Sequence, residues 1–225
     1  MNERNTNSSR YECEMNKLKL IMKLVYPIKK NGLRTLRSDD IAKYMDVSKA
    51  TLYKYFSSKD EIIKELVQYY ITQLLEISID HVSDALSYVK EWQKTFKDSL
   101  LSANFISEAF KNDLMESYPE LLQKIKIASQ KYRQELIVFY QKGINFGVFN
   151  DLNPAIVILQ DEAFFKDMLN PLYLMDNNLT IRTAINDYYN CKKVQVLKDQ
   201  YHKFSDAEWK ELSEYLVQKV SSSIM

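Results

Sequence analysis

Apolar residues recur three and four positions apart along most of the chain, the spacing that lines one face of an α-helix. Leu18, Ile21, Met22 and Val25 set this pattern for a first helix over residues 12–31, which contains Pro27 and stops at Gly32. An interior proline costs about 3 kcal/mol, so the pattern predicts a kink or a shortening there. Ser38 opens a short second helix: its hydroxyl can cap the first turn, and Asp39 and Asp40 suit the positive end of the dipole. Ile41, Ala42 and Met45 are its inward face. Asp46-Val47 makes a tight turn, Ser48 caps a third helix over about 49–55, and Leu52 and Phe56 mark the buried side. Ser58-Lys59-Asp60-Glu61 reads as a capping box opening a long fourth helix, with Ile62, Ile63, Leu66, Val67, Tyr70, Leu74 and Ile77 as its apolar positions and its end near Ile79.

Helical spacing continues to the C-terminus. Residues 82–103 and about 105–116 predict two helices, and Pro119 opens a long one to about Phe146. The stripe of that helix is Ile125, Ala128, Tyr132, Leu136, Phe139, Gly143 and Phe146. Asn153-Pro154 leads into a helix over Ala155–Leu169, and helices near 180–202 and 206–221 follow. The last carries a Ser205/Glu208 capping box and a Phe204/Trp209 staple. No segment sustains a two-residue alternation and no repeat is present. The predicted fold is all-α. It has an N-terminal three-helix domain over residues 1–57, frayed or disordered over about 1–10, and a helical domain over 58–225 joined through the helix that starts at 58.

Composition narrows the chemistry. Only 3 glycines and 4 prolines occur in 225 residues, which fits long helices, and no glycine-rich phosphate or dinucleotide loop is present. Cys13, Cys191, His81 and His202 are too few and too scattered for a disulfide framework or a zinc module, so they read as structural or exposed. No cofactor or metal is expected. No apolar run nears the roughly 20 residues of a membrane span, and residues 1–10 lack the apolar core of a signal peptide. The expected location is the cytoplasm, with no membrane partner.

The net charge is only +1, but it is unevenly spread. Residues 29–59 hold eight basic side chains (Lys29, Lys30, Arg34, Arg37, Lys43, Lys49, Lys54 and Lys59) against three acidic ones (Asp39, Asp40 and Asp46). That local excess of +5 leaves −4 for the rest, a polarity that steers DNA to one end.

Ser38–Ile63 is the informative stretch: a short helix, a tight turn, and a second short helix held by a few apolar contacts. This is the helix-turn-helix plan, whose second helix fits the major groove. With Leu52 and Phe56 inward, Lys49, Ala50, Tyr53 and Lys54 form the outer stripe. Lysine reaches guanine edges or phosphate, alanine permits close approach to a thymine methyl, and a tyrosine hydroxyl reaches phosphate. Lys59, in the first turn of the next helix, can add a phosphate contact.

The run I-A-K-Y-M-D-V-S-K-A-T-L-Y-K-Y-F-S-S-K-D-E-I-I resembles the DNA-binding signature of the TetR family of bacterial transcriptional regulators. The matches are Ile41-Ala42, Val47-Ser48, Thr51-Leu52-Tyr53, Tyr55-Phe56 and Ser58-Lys59. The resemblance covers roughly residues 20–66, with a weaker likeness over Gly143–Pro154. It implies that Ser48, Lys49, Ala50, Thr51, Lys54 and Tyr55 lie at or near the groove. Tyr53 and Lys59 stand at phosphate-contacting positions, as do Arg37 and Ser38 at the start of the second helix. Asp46 occupies the turn position where the family usually carries glycine; aspartate tolerates the left-handed backbone better than most residues. The resemblance further implies a homodimer on palindromic double-stranded DNA, and a C-terminal domain that senses an unidentified small molecule.

Trp92, Phe96, Phe105, Phe110, Phe139, Tyr140 and Phe164 are the candidate ligand-lining residues, with ordinary core packing as the alternative for each. Asp161-Glu162 could orient a ligand or pair across an interface, but reads more simply as a solvated face with a Glu162–Lys166 pair. The dimer is expected to use Ala155–Leu169 with one or other of the last two helices, near 180–202 and 206–221, since Ile156, Val157, Leu159 and Phe165 exceed one inward stripe. The function expected is a repressor released from its operator by an apolar or aromatic ligand. The alternative is an architectural DNA-binding dimer without ligand response. No nucleophile–base pair or phosphate loop supports an enzyme.

Overall fold

The computed structural model describes the backbone of residues 3–34, 36–76, 79 and 82–224, and the side chains of 14–34, 36–76, 79 and 82–222. Ile77, His81 and the Cys13 side chain therefore lie outside the described residues. Among these residues the architecture is helical: α1 (Glu3–Asn31), α2 (Ser38–Met45), α3 (Lys49–Tyr55), α4 (Lys59–Glu76), α5 (Ala85–Phe105), α6 (Glu108–Ser117), α7 (Pro119–Phe146), α8 (Pro154–Met168), α9 (Pro171–Asp176), α10 (Ile181–Val196) and α11 (His202–Ile224), with a 3₁₀ turn over Asp199–Tyr201. The all-α expectation holds, and α7 has the bounds its sequence predicts.

The chain divides into two compact units. One comprises Met1–Leu74 with Phe105–Ala128, the other Leu75–Asn104 with Ser129–Met225. The division differs from a cut at residue 58: α6 and the first turns of α7 belong with the N-terminal helices. No proline- or glycine-rich linker follows α3, so the sequence offers no chemical boundary there.

In the first unit, α1 begins at Glu3, within the segment expected to be frayed, and runs through Pro27 to Asn31. Its buried stripe is Leu20, Ile21, Leu24 and Ile28. The expected stripe had one face too many, since Met22 is 51% exposed. These residues close on Leu33, Leu36, Ile41, Ala42, Met45, Leu52, Phe56, Ile62, Ile63 and Leu66, all buried. Gly32 ends α1 at φ 72, and Asp46 ends α2 at φ 58, a left-handed turn made without glycine. The carbonyls of Ala42 and Lys43 accept from the N–H groups of Val47 and Asp46 at 3.0 and 3.1 Å.

The second unit is built around aromatic rings. Tyr189 stacks on Trp209 at 3.4 Å between centroids, and Phe96 meets Phe165, Tyr189 and Trp209 edge-on. A second group joins Tyr88, Phe139, Tyr140 and Phe149. Gly143 makes room for that group: a Cβ there would sit 2.2 Å from the Phe149 ring.

Several local expectations are corrected. Ser205 is no cap: α11 starts three residues earlier, and the fully buried Ser205 hydroxyl bonds to Tyr189. Glu208 pairs instead with Lys90 at 3.2 Å. Phe204 is 51% exposed while Trp209 stacks inward on Tyr189. Asp161 is buried, not solvated. It holds Lys192 at 3.1 Å and accepts from the Tyr188 hydroxyl at 2.7 Å. Glu162 has a partner beyond its own helix, Arg133. Sequence spacing records neighbours within one helix, and these partners come from other helices. The short α9 was not expected at all.

Candidate nucleic-acid interface

Two short helices and the turn between them present the basic face. Leu52, 1% exposed, and Phe56 fix α3 against the interior of the first unit. That leaves Ser48, Lys49, Ala50, Tyr53 and Lys54 exposed, with Thr51 and Tyr55 half-buried. The helix starts on a complete cap, because the Ser48 hydroxyl accepts from the Thr51 N–H at 3.0 Å and lies 2.8 Å from the Thr51 hydroxyl. Thr51 is thereby committed to the cap. The Tyr53 hydroxyl donates to Ser38 at 3.2 Å, joining α3 to the first turn of α2.

Ser38 is therefore the first helical residue, and the capping position is Arg37. The Arg37 N–H donates to the Asp40 carboxylate at 3.0 Å, which leaves the exposed guanidinium available for phosphate. Lys49 pairs with Asp39 at 2.8 Å, and that carboxylate raises the lysine pKa. Both groups are exposed, so water and salt screen the pair, and a phosphate can displace the carboxylate.

Lys59 is placed differently from the outer stripe. Its half-buried ammonium donates to the carbonyl oxygens of Leu33 and Leu36, at 2.9 and 2.7 Å. It ties the start of α4 to the turn that enters α2. An ammonium has three donors, so one remains for phosphate. Glu61 is the other tether of α4. The Ser58 hydroxyl accepts from the Glu61 N–H at 3.2 Å, but the Glu61 carboxylate reaches Ser57, accepting from its N–H and hydroxyl at 2.7 Å each, and takes Lys17 at 3.0 Å. The Ser57 hydrogen bonds, with Lys17 after them, hold the Glu61 pKa down to about 2. The expected capping box is thus shifted one residue towards the N-terminus.

Residues 28–66 match the family described as bacterial regulatory proteins, tetR family. This segment is a tetR-family domain. No curated protein matches the chain by sequence. The fold matches solved structures of that kind. A TetR-family transcriptional regulator from Marinobacter aquaeolei VT8 is 18% identical, with 89% of this chain and 98% of that one covered at a TM-score of 0.59. The ketosteroid transcriptional regulator of Mycobacterium tuberculosis is 18% identical over 81% and 95%, at 0.54. A transcriptional regulator from Saccharomonospora viridis, solved in complex with choline, is 14% identical over 82% and 99%, at 0.53.

Outside the 28–66 segment, the tetR-family domain leans on residues that sequence reading did not single out. Asp113 of α6 accepts from the N–H groups of Leu33 and Arg34, at 2.5 and 3.3 Å. The Tyr118 hydroxyl donates to Asp60 at 2.6 Å. Their separation in sequence hides these partners. A cleft of about 420 Å³ also lies in this unit, between Lys64, Glu65, Val67, Gln68 and Ile71 of α4 and Glu120, Leu121 and Lys124 of α7. None of the seven ligand candidates lines it.

Those candidates are divided. Phe105 stacks on Tyr70 at 4.9 Å in the first unit, where Phe110 is also buried. Trp92, Phe96, Phe139, Tyr140 and Phe164 lie in the second unit. Trp92, Phe96, Phe139 and Tyr140 are at most 3% exposed. Half-buried Phe164 stacks on Tyr188 at 3.7 Å, beside the Asp161–Lys192 pair. Of the four dimer candidates on α8, Ile156 and Leu159 are exposed, but Val157 and Phe165 are buried within the chain itself.

Proposed function

We propose that the chain is a homodimeric repressor that reads a palindromic operator through α3 and is released by a small apolar or aromatic ligand. The observation that carries the DNA reading is the exposed Lys49, Ala50, Tyr53 and Lys54 stripe, standing on a helix whose other face is locked by Leu52 and Phe56. In this reading Lys49 and Ala50 meet base edges. Arg37, Ser38, Ser48, Thr51, Tyr53, Lys54, Tyr55 and Lys59 position the domain on the backbone or flank the groove. One such helix reads only a few base pairs, so a symmetric pair is required for specificity. Exposed Ile156 and Leu159 of α8, with Leu172 and Met175 of α9, supply apolar surface for the second copy. The ligand is expected near Phe164, Tyr188 and Asp161, where half-buried rings adjoin a polar group.

The test uses the DNA immediately upstream of the coding region. Fluorescence anisotropy with wild type and Lys49→Ala should show a loss of about tenfold or more for the variant, and footprinting should show two half-sites about one helical turn apart. Equal affinity in both proteins removes the assignment of α3. Compounds that raise the melting temperature are then scored for DNA release, and DNA must weaken each ligand by the factor the ligand weakens DNA. A second reading, a DNA-binding dimer without ligand response, is favoured by the close packing of Trp92, Phe96, Phe139 and Tyr140 against neighbouring rings. Ligands that bind without changing DNA affinity would decide for it.

A further inference from the structure

The turn that carries the chain from α1 into α2 is gripped from two other helices of the same unit. At Leu33 the N–H donates to Asp113 of α6, and the carbonyl accepts from Lys59 of α4. The next N–H, that of Arg34, also reaches Asp113, and the Arg34 guanidinium pairs with Asp113 and with Glu116. Gly32 completes the fit. It stands at φ 72, and a Cβ there would lie 2.4 Å from the Asp113 carboxylate, so the acid occupies the space a side chain would need. One turn further along, Tyr118 closes on Asp60 at the start of α4. Asp113 itself is mostly buried, with its side chain 14% exposed.

We propose that Asp113 is a positioning residue for DNA binding: it fixes the Gly32–Arg34 turn, and through it the angle at which α2 and α3 meet the groove. The proposal rests on the DNA-binding reading above and extends it to a helix outside the 28–66 segment. The physical argument is directional. The carboxylate accepts from two successive backbone N–H groups, a short charge-assisted bond from Leu33 at 2.5 Å and a longer one from Arg34 at 3.3 Å, and this paired geometry restricts rotation of the turn. Lys59 of α4 holds the same stretch from the carbonyl side, at Leu33 and Leu36, while Asp113 holds it from the N–H side, between the end of α1 at Asn31 and the start of α2 at Ser38. Freed from Asp113, α2 and α3 would keep their own caps and apolar contacts while losing a defined entry direction.

The test uses the full chain with Asp113→Ala, Asp113→Asn and, as a control on the reading face, Lys49→Ala. Hydrogen–deuterium exchange of the peptide covering 32–36 reports the turn directly. Anisotropy on the upstream DNA, well below the melting temperature, reports its consequence. Asp113→Ala should speed exchange at 32–36 and weaken DNA by about tenfold, the equivalent of one hydrogen bond to a charged group. Asp113→Asn keeps an acceptor oxygen and should recover part of both losses. Lys49→Ala should weaken DNA while leaving exchange unchanged. A purely structural acid would lower the melting temperature without altering DNA affinity in the folded protein, and that result overturns the proposal, as does unchanged exchange in Asp113→Ala. If wild type binds DNA and Asp113→Ala binds it equally, only the role of Asp113 falls. If wild type does not bind, the DNA reading falls and takes this role with it.

Discussion

Replacing Lys59 by methionine separates two roles that sequence alone runs together. The side chain keeps nearly its length and apolar stem but loses the ammonium, and with it the bonds to the carbonyls of Leu33 and Leu36 at 2.9 and 2.7 Å. Hydrogen bonds to a charged group contribute about 1.5–3 kcal/mol each. The lysine is half-buried, so water can recover part of that, and a net loss of about 2–4 kcal/mol is expected. For a chain of this size each kcal/mol lowers the melting temperature by about 2–4 °C, giving a drop on the order of 5–15 °C by calorimetry. The third donor of the ammonium is the one left for phosphate. If it is used, the slope of log K against log salt becomes shallower by about 0.9 in the variant. A melting temperature within about 1 °C of wild type would refute the argument that Lys59 holds the turn. An unchanged salt slope with a lowered melting temperature would remove the phosphate contact and leave the tether.

Asp39→Asn should tighten DNA binding several-fold at low salt, because it releases Lys49 and removes a charge that repels phosphate; anisotropy across a salt series shows the gain shrinking as screening rises. Glu61 has its pKa lowered in the folded chain, to about 2 from an ordinary 4.5. Its stabilising contribution is therefore complete above about pH 4.5 and is lost as the pH falls towards 2, so Glu61→Gln should flatten the acid limb of the stability curve in that window, and an equally steep limb would refute the tether. Gly143→Ala should destabilise the second unit by about 1–3 kcal/mol, since the added methyl collides with the Phe149 ring; a neutral effect in denaturant unfolding would show that the ring can move aside.

Much of the first unit could be read from the sequence because its contacts are local. The α2 and α3 bounds follow from Ser48, Leu52 and Phe56, all within one or two turns of each other. The left-handed Asp46 was legible too, from the residue type at a turn between two helical patterns. What the sequence misplaced were side chains able to choose between near and far partners. Ser38 has the residue type of a cap, yet its hydroxyl meets Tyr53, 15 positions on. Glu162 meets Arg133 of another helix, a partner that spacing along α8 does not reveal. Lys59 reads as a surface cation in a first turn, yet its long stem lets the ammonium fold back to two carbonyls more than 20 positions earlier. Charged side chains on long stems have the least predictable partners, because spacing constrains only the Cα and the stem supplies several ångströms of reach.

The buried charges of the second unit carry that point further. Asp161 and Lys192 are each at most 7% exposed, one on α8 and one on α10. Burial pushes the Asp161 pKa up and the Lys192 pKa down, and each charge opposes the shift of the other. The group is completed by Tyr188, which donates to Asp161, and by the Val157 carbonyl and Gln160, which accept from Lys192 at 3.2 and 3.3 Å. Such a pair adds little net stability over an apolar pair of the same shape, but it heavily penalises any packing of α8 on α10 that separates the two charges. The register of these helices is thereby fixed by polar groups within a mostly aromatic core. Phe164 stacks on the same Tyr188, so a molecule that displaced this ring would have to replace the hydrogen bond to Asp161 as well.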